Sequence, residues 1–96
     1  MEGKPPQIED KFSVEYNDGA NEKMIELAKM SILLAFEEYP NNDIEKCKLI
    51  ASKFEERFKH RWGVSIIKKG ESLFYYNKYY LKIKYKDYII KIMRIK

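Results

Sequence analysis

The stretch Cys47-Lys48-Leu49-Ile50-Ala51-Ser52-Lys53-Phe54-Glu55-Glu56-Arg57-Phe58-Lys59-His60-Arg61-Trp62-Gly63-Val64-Ser65-Ile66-Ile67 changes its hydrophobic period halfway along. Up to Phe58 the residues Cys47, Ile50, Ala51, Phe54 and Phe58 recur at helical spacing, and they form one narrow stripe. Lys46, Lys48, Lys53, Glu55, Glu56, Arg57 and Lys59 take the other faces. A one-sided helix of this kind lies on something flat, and a sheet is the natural support. From Trp62 the period becomes two, which is the period of a strand.

Working upstream, Asn42 with Glu45 three residues on resembles a capping box that opens this helix. Before it, Pro40 after Tyr39 ends an earlier helix, which Asn21 caps and Glu22 favours through the helix dipole. In that earlier helix Met24, Leu27, Ala28, Ser31, Leu34 and Ala35 form the stripe, and Ile25, Ile32 and Phe36 widen it. An arc this wide predicts contact on more than one side. Phe12-Ser13-Val14-Glu15-Tyr16 alternates as a half-buried strand, and Asn17-Asp18-Gly19 stops it with turn chemistry. Residues 1–11 are polar, carry Pro5-Pro6 and read as a mobile tail before a single domain over 12–96.

Working downstream, the aromatic and β-branched content predicts strands at 72–76, 79–85 and 88–95. Leu81, Ile83 and Tyr85 fall on one face of the second of these, with Tyr80, Lys82 and Lys84 on the other. Lys86-Asp87 is short enough for a hairpin turn, although it lacks the usual glycine. The order is β-α-α-β-β-β-β, which makes this an α+β chain with two helices packed on an antiparallel sheet.

The 96 residues leave room for one domain, and a second copy is a plausible supplement to its small core. No apolar run approaches the length of a membrane span, and the opening residues lack the apolar region of a secretory leader, so neither is expected. One cysteine and one histidine exclude a disulfide framework and a multi-cysteine zinc site, and no Ser/His/Asp set, HExxH or P-loop pattern is present. No enzyme, cofactor or metal is therefore expected. Cys47 reads as a packed small residue, His60 as a helix-end residue and Trp62 as a structural ring at the helix–strand junction. The net charge of +4 is unevenly spread: residues 1–43 hold 10 acids and 4 bases, and residues 44–96 hold 5 acids and 15 bases. A basic second half suits nucleic acid, an anionic surface or an acidic protein.

The ordered set of pieces resembles the small dynein light chain family over about residues 12–96. The pieces are Met24, Glu37-Glu38-Tyr39, Ile50-Ala51-Ser52-Lys53-Phe54-Glu55-Glu56-Arg57-Phe58, Trp62, and the closing run from Tyr79 to Met93. The Asn41-Asn42 loop looks closer to the axonemal branch. The resemblance implies a strand-swapped homodimer in which residues 71–76 cross to complete the partner's sheet. Partner peptides would then add to the edge of that strand by β-augmentation, and two grooves would align two partner chains. The implied groove comprises Asp43, Ile44, Lys68, Lys69, Gly70, Glu71, Ser72, Leu73, Phe74, Tyr75, Tyr76, Lys82 and Lys84. The implied dimer interface comprises Trp62, Gly63, Val64, Leu73 and Tyr75.

Four departures alter the expectation. The family's interface histidine after the tryptophan is Gly63 here, so no pH-driven splitting of the dimer is expected. The turn before the crossing strand is one residue shorter, at Lys68-Lys69-Gly70. An acid–lysine pair that reads a partner glutamine becomes Asp43-Ile44, and two groove tyrosines become Lys82 and Lys84. A motif more acidic than the family's Thr-Gln-Thr follows, since desolvated lysines favour carboxylates.

The resemblance implies a non-enzymatic light chain of a dynein motor complex. Its partners would be dynein intermediate chain or other protein segments, at microtubules in the cytoplasm or in the axoneme, without membrane. The alternative is a small basic nucleic-acid-binding domain, with Tyr80 stacking bases beside Lys82 and Lys84. An inhibitor or assembly factor that binds an enzyme is a third reading, because one fold hosts varied tasks.

Overall fold

The computed structural model describes residues 11–68 and 80–95. Its elements run β1 (Phe12–Asn17), α1 (Glu22–Glu38), α2 (Asp43–Phe58), β2 (Arg61–Lys68), β3 (Leu81–Tyr85) and β4 (Tyr88–Ile95). The strands form one antiparallel sheet in the order β1-β3-β4-β2, and both helices pack on one of its faces. This is the expected α+β architecture. The strand expected at 72–76 and residues 1–10 of the expected tail lie outside the described residues.

The helix ends follow the caps read from sequence. Asn21 accepts the Met24 amide at 3.0 Å, and Asn42 accepts the Glu45 amide at 3.1 Å. Each bond satisfies one of the amides that a helix start leaves without a partner. Between β3 and β4, Lys86 takes the left-handed φ of 55° that glycine usually supplies in so short a turn.

Two aromatic clusters hold the helices to the two ends of the sheet. At one end the Trp62 ring lies 5.0 Å from Phe54, 6.3 Å from Phe58 and 5.5 Å from Tyr80. At the other end Tyr85 stacks on Phe12 at 4.8 Å, and Phe36 meets Tyr85 at 5.1 Å and Tyr88 at 5.0 Å. Between the clusters, Ala28, Ile32, Ala35, Ile50, Ile83, Ile90 and Ile92 are fully buried. Burial of each large side chain contributes about 1.5–3 kcal/mol. The buried hydroxyl of Ser31 donates to the Leu27 carbonyl at 2.6 Å, so it does not tax the core.

The helix reading needs one correction. Helical spacing places Lys46 on the polar side of α2, yet its side chain is 2% exposed. Its Nζ donates to Asp43 Oδ1 at 2.9 Å and to the Pro40 carbonyl at 3.2 Å, and it sits 4.4 Å from the centroid of the Phe36 ring. A long aliphatic stem packs like a hydrophobe, and its head finds a carboxylate, a carbonyl and a π face. Asp43 belongs to the first turn of α2 itself, Pro40 to the α1–α2 loop and Phe36 to α1. Lys46 thereby ties the start of α2 to the end of α1.

Asp43→Ala would leave the Lys46 ammonium buried with less compensation, whereas Lys46→Met would remove the charge and keep the stem. Because the Asp43 side chain is 57% exposed, the pair is partly screened, so the expected loss for Asp43→Ala is about 1–2 kcal/mol. That loss corresponds to a melting temperature lower by about 4–8 °C per kcal/mol. Lys46→Met should melt above Asp43→Ala. Thermal denaturation followed by circular dichroism checks both, and an unchanged melt for Asp43→Ala would remove this ion pair from the account of the fold.

Candidate functional site

Sheet alternation sends neighbouring side chains to opposite faces. On β3, Leu81, Ile83 and Tyr85 are buried toward the helices, so Lys82 and Lys84 stand on the helix-free face. On β2, Trp62, Val64 and Ile66 pack into the core, so Gly63, Ser65 and Ile67 belong to the other face. The β3–β4 register places Lys82 opposite Lys91, and the β1–β3 register places Tyr16 opposite Lys82 and Ser13 opposite Lys84. A row of polar and basic side chains therefore crosses the middle of the sheet.

The two outer strands differ. Strand β1 carries a bulge between Val14 and Tyr16, with Glu15 as the extra residue. Such a break blunts an edge against further pairing. Strand β2 runs eight residues against β4 in unbroken register, and no described strand pairs with its outer edge. Among the described strands this is the longer and more regular of the two outer edges. The start of α2 flanks it: Ile44 is 69% exposed there, and Cys47 meets the Ile66 backbone N–H.

Several of the expected groove residues come together and others do not. Asp43 and Ile44 lie on the helix side with Cys47, which was not an expected groove residue, next to the β2 edge that ends at Lys68. Lys82 and Lys84 lie on the opposite face, on a strand separated from β2 by β4. The described residues of one chain do not bring both sets into a single groove. Lys69, Gly70, Glu71, Ser72, Leu73, Phe74, Tyr75 and Tyr76 lie outside the described residues. Of the expected interface, Trp62 and Val64 pack within their own chain. Gly63 faces away from the helices, and a Cβ there would lie 3.2 Å from Ile95 Cδ1 and 3.8 Å from Met93 Cε.

Tyr80 departs from the face it was read with. It lies outside β3, its ring meets Trp62, and its hydroxyl donates to the Gly19 carbonyl at 3.0 Å. The aromatic half of a nucleic-acid platform is therefore used in structure. Lys91 was missed as a member of the basic face, and counting could have found it. A two-residue turn pairs Tyr85 with Tyr88, and three steps outward on each strand pair Lys82 with Lys91. The Trp62 Nε1 is buried and has no hydrogen-bond partner among the described residues. Among the described residues no group of three or more His, Cys, Asp or Glu could hold a metal ion, and no helix is long and apolar enough to cross a membrane.

Burial raises the Cys47 thiol pKa above its ordinary 9.0; Asp43 adds to that rise, and the Ile66 amide and Lys46 work against it. At a given pH the thiolate fraction is then smaller than in the unfolded chain, and the thiolate is the nucleophile. Alkylation by iodoacetamide near pH 8 should run several-fold slower in the native protein than in denaturant. A native rate equal to or above the unfolded one would contradict this environment.

No protein family model matches the chain, and no curated protein matches it. Among solved structures, the dynein light chain-like domain of the Fasciola hepatica calcium binding protein FhCaBP2 matches with a TM-score of 0.68 at 11% identity. The match covers 90% of this chain and 93% of that one. The agreement extends through the helices and the sheet, and this chain has the fold of a dynein light chain-like domain.

Proposed function

We propose that this chain is a non-enzymatic light chain of a dynein motor complex, acting as a two-chain hub that takes linear protein segments by β-strand addition. The observation that carries this reading is the open edge of β2, eight residues long in unbroken register, flanked by the start of α2. Backbone groups on such an edge supply affinity without chemistry, and the flanking side chains supply selectivity. Two such edges in one assembly align two partner chains and raise avidity. The working location is the microtubule-associated dynein complex of the cytoplasm or axoneme, and the partners are segments of dynein intermediate chain or of similar proteins.

The lysines on the sheet support a second reading as a nucleic-acid-binding domain. Tyr80, the ring that reading placed beside the lysines, is instead bonded to Gly19 and packed on Trp62, which weighs against it. A filter-binding series against salt separates the two readings, since phosphate binding must weaken steeply as salt rises.

Sedimentation equilibrium across a concentration series should detect a species of twice 11.6 kDa. The species should persist at mildly acidic pH, because Gly63 supplies no titrating group at the position where the family carries its interface histidine. A strictly monomeric chain at every concentration would remove the two-chain hub. Calorimetric titration with dynein intermediate chain peptides should then give dissociation constants tighter than about 100 μM. Silence across all of them would count against the light-chain role.

A further inference from the structure

Helix α1 keeps an apolar side that the core does not use. Met30 is 63% exposed and Leu34 is 37% exposed, with Leu33 half-buried beside them. Together with Phe36, Tyr85 and Lys86 they line a groove of about 610 Å³ between the second half of α1 and the β3–β4 turn. Glu37 borders the groove on the helix side, so a carboxylate entering it is directed toward the turn and Lys86.

A basic hollow of about 340 Å³ adjoins the groove and shares Lys86 with it; Lys11, Phe12, Ser13 and Lys84 complete its lining. The Lys86 Nζ lies 5.2 Å from the Tyr85 ring, and none of Lys11, Lys84 and Lys86 forms an ion pair with a described carboxylate. An apolar slot that runs into a cluster of lysines fits a segment in which an aliphatic residue and carboxylates are neighbours.

The described chain begins at this same corner. Phe12 opens β1 and stacks on Tyr85 at 4.8 Å, and Tyr85 meets Phe36 at 5.1 Å. The residues before Lys11 read Met1-Glu2-Gly3-Lys4-Pro5-Pro6-Gln7-Ile8-Glu9-Asp10. Ile8 is the aliphatic residue nearest Phe12, and the carboxylates of Glu9 and Asp10 follow it. Four residues span at most about 14 Å, so Ile8 reaches the groove that Tyr85 and Phe36 line. The order also agrees, with the acids next to the lysines and the aliphatic residue one step further on.

We infer that residues 1–10 cover this groove from their own chain, with Ile8 against Met30 and Leu34 and the Glu9 and Asp10 carboxylates beside Lys86 and Lys84. Ile8 takes exposed apolar surface out of water, and the lysines gain charge-assisted hydrogen bonds. Attachment at Lys11 gives the segment a millimolar effective concentration, so a contact too weak to hold a free peptide stays made. Pro5-Pro6 lowers the chain entropy lost on docking. Any outside chain that uses this side of α1 must first displace the segment. The inference uses neither the β2 edge nor a second chain, and so it stands or falls apart from the hub reading.

The test is nuclear magnetic resonance of the full chain with isotope-labelled methionine methyl groups. Met24 packs against the core and Met93 lies beside Gly63, so both serve as controls for Met30. Ile8→Asp should shift the Met30 methyl resonance and leave Met24 and Met93 in place, and Ile8→Val should keep the wild-type position. Glu9→Lys/Asp10→Lys should move Met30 part of the way toward its Ile8→Asp position, as should high salt on the wild type. An unmoved Met30 in Ile8→Asp would overturn the inference. If Met24 and Met93 move as well, Ile8→Asp has disturbed the core, and the charge-reversal pair decides in the same way: a shifted Met30 supports the inference and an unmoved one overturns it. Labelled Ile8→Asp mixed with unlabelled wild type should show no recovery of the wild-type resonance. Recovery would give the groove to residues 1–10 of a second copy and overturn the inference.

Discussion

The Trp62 ring is the contact on which the rest of the architecture depends. It enters the sheet directly after α2 and lies against Phe54 and Phe58 of the helix that precedes it. Because one end of β2 and one side of α2 meet there, the helix is fixed over the sheet and the inward face of every strand is decided. Parity then propagates through the ladder: with Trp62 inward, Val64 and Ile66 face the helices, and so do Ile90 and Ile92 across the register. A one-residue slip would send this apolar set to the other face and bring lysines into the core.

The opposite end is held differently. The Phe12, Phe36, Tyr85 and Tyr88 rings join α1, β1 and the β3–β4 hairpin, and Lys46 lies over Phe36. A buried ammonium is tolerated there because a carboxylate, a carbonyl and a ring face share it. With both ends fixed and both helices on one side, the regular β2 edge and the basic residues Lys82 and Lys84 on the helix-free face follow from the same layering.

Much of this was legible in the chain. The change of period at Trp62, the Asn21 and Asn42 caps, the stop at Pro40 and the Lys86-Asp87 turn each rest on local chemistry, and local chemistry does not depend on the fold. The breadth of the apolar arc on α1 was also legible. Ala28, Ser31, Ile32 and Ala35 are buried and Met24, Ile25, Leu27 and Phe36 pack against the core, but Leu34 of the expected stripe is exposed. Lys46 was misread because a helical stripe assigns lysine to water, and nothing nearby in sequence announces a ring and a carbonyl waiting for it. Tyr80 was misplaced because the expected strand 79–85 began upstream of Leu81, where the chain has not yet entered β3.

By itself the sequence determined the element types, their order and the sign of the charge on the second half, since these depend on spacing, capping and composition. Only the tertiary structure decided which edge of the sheet stays regular, that Lys82 faces Lys91, and that the predicted groove residues fall on opposite faces of one chain. Those outcomes depend on pairing between strands distant in sequence and on which face the helices occupy. Such long-range choices are set when the core closes around Trp62 rather than by any residue's own preference.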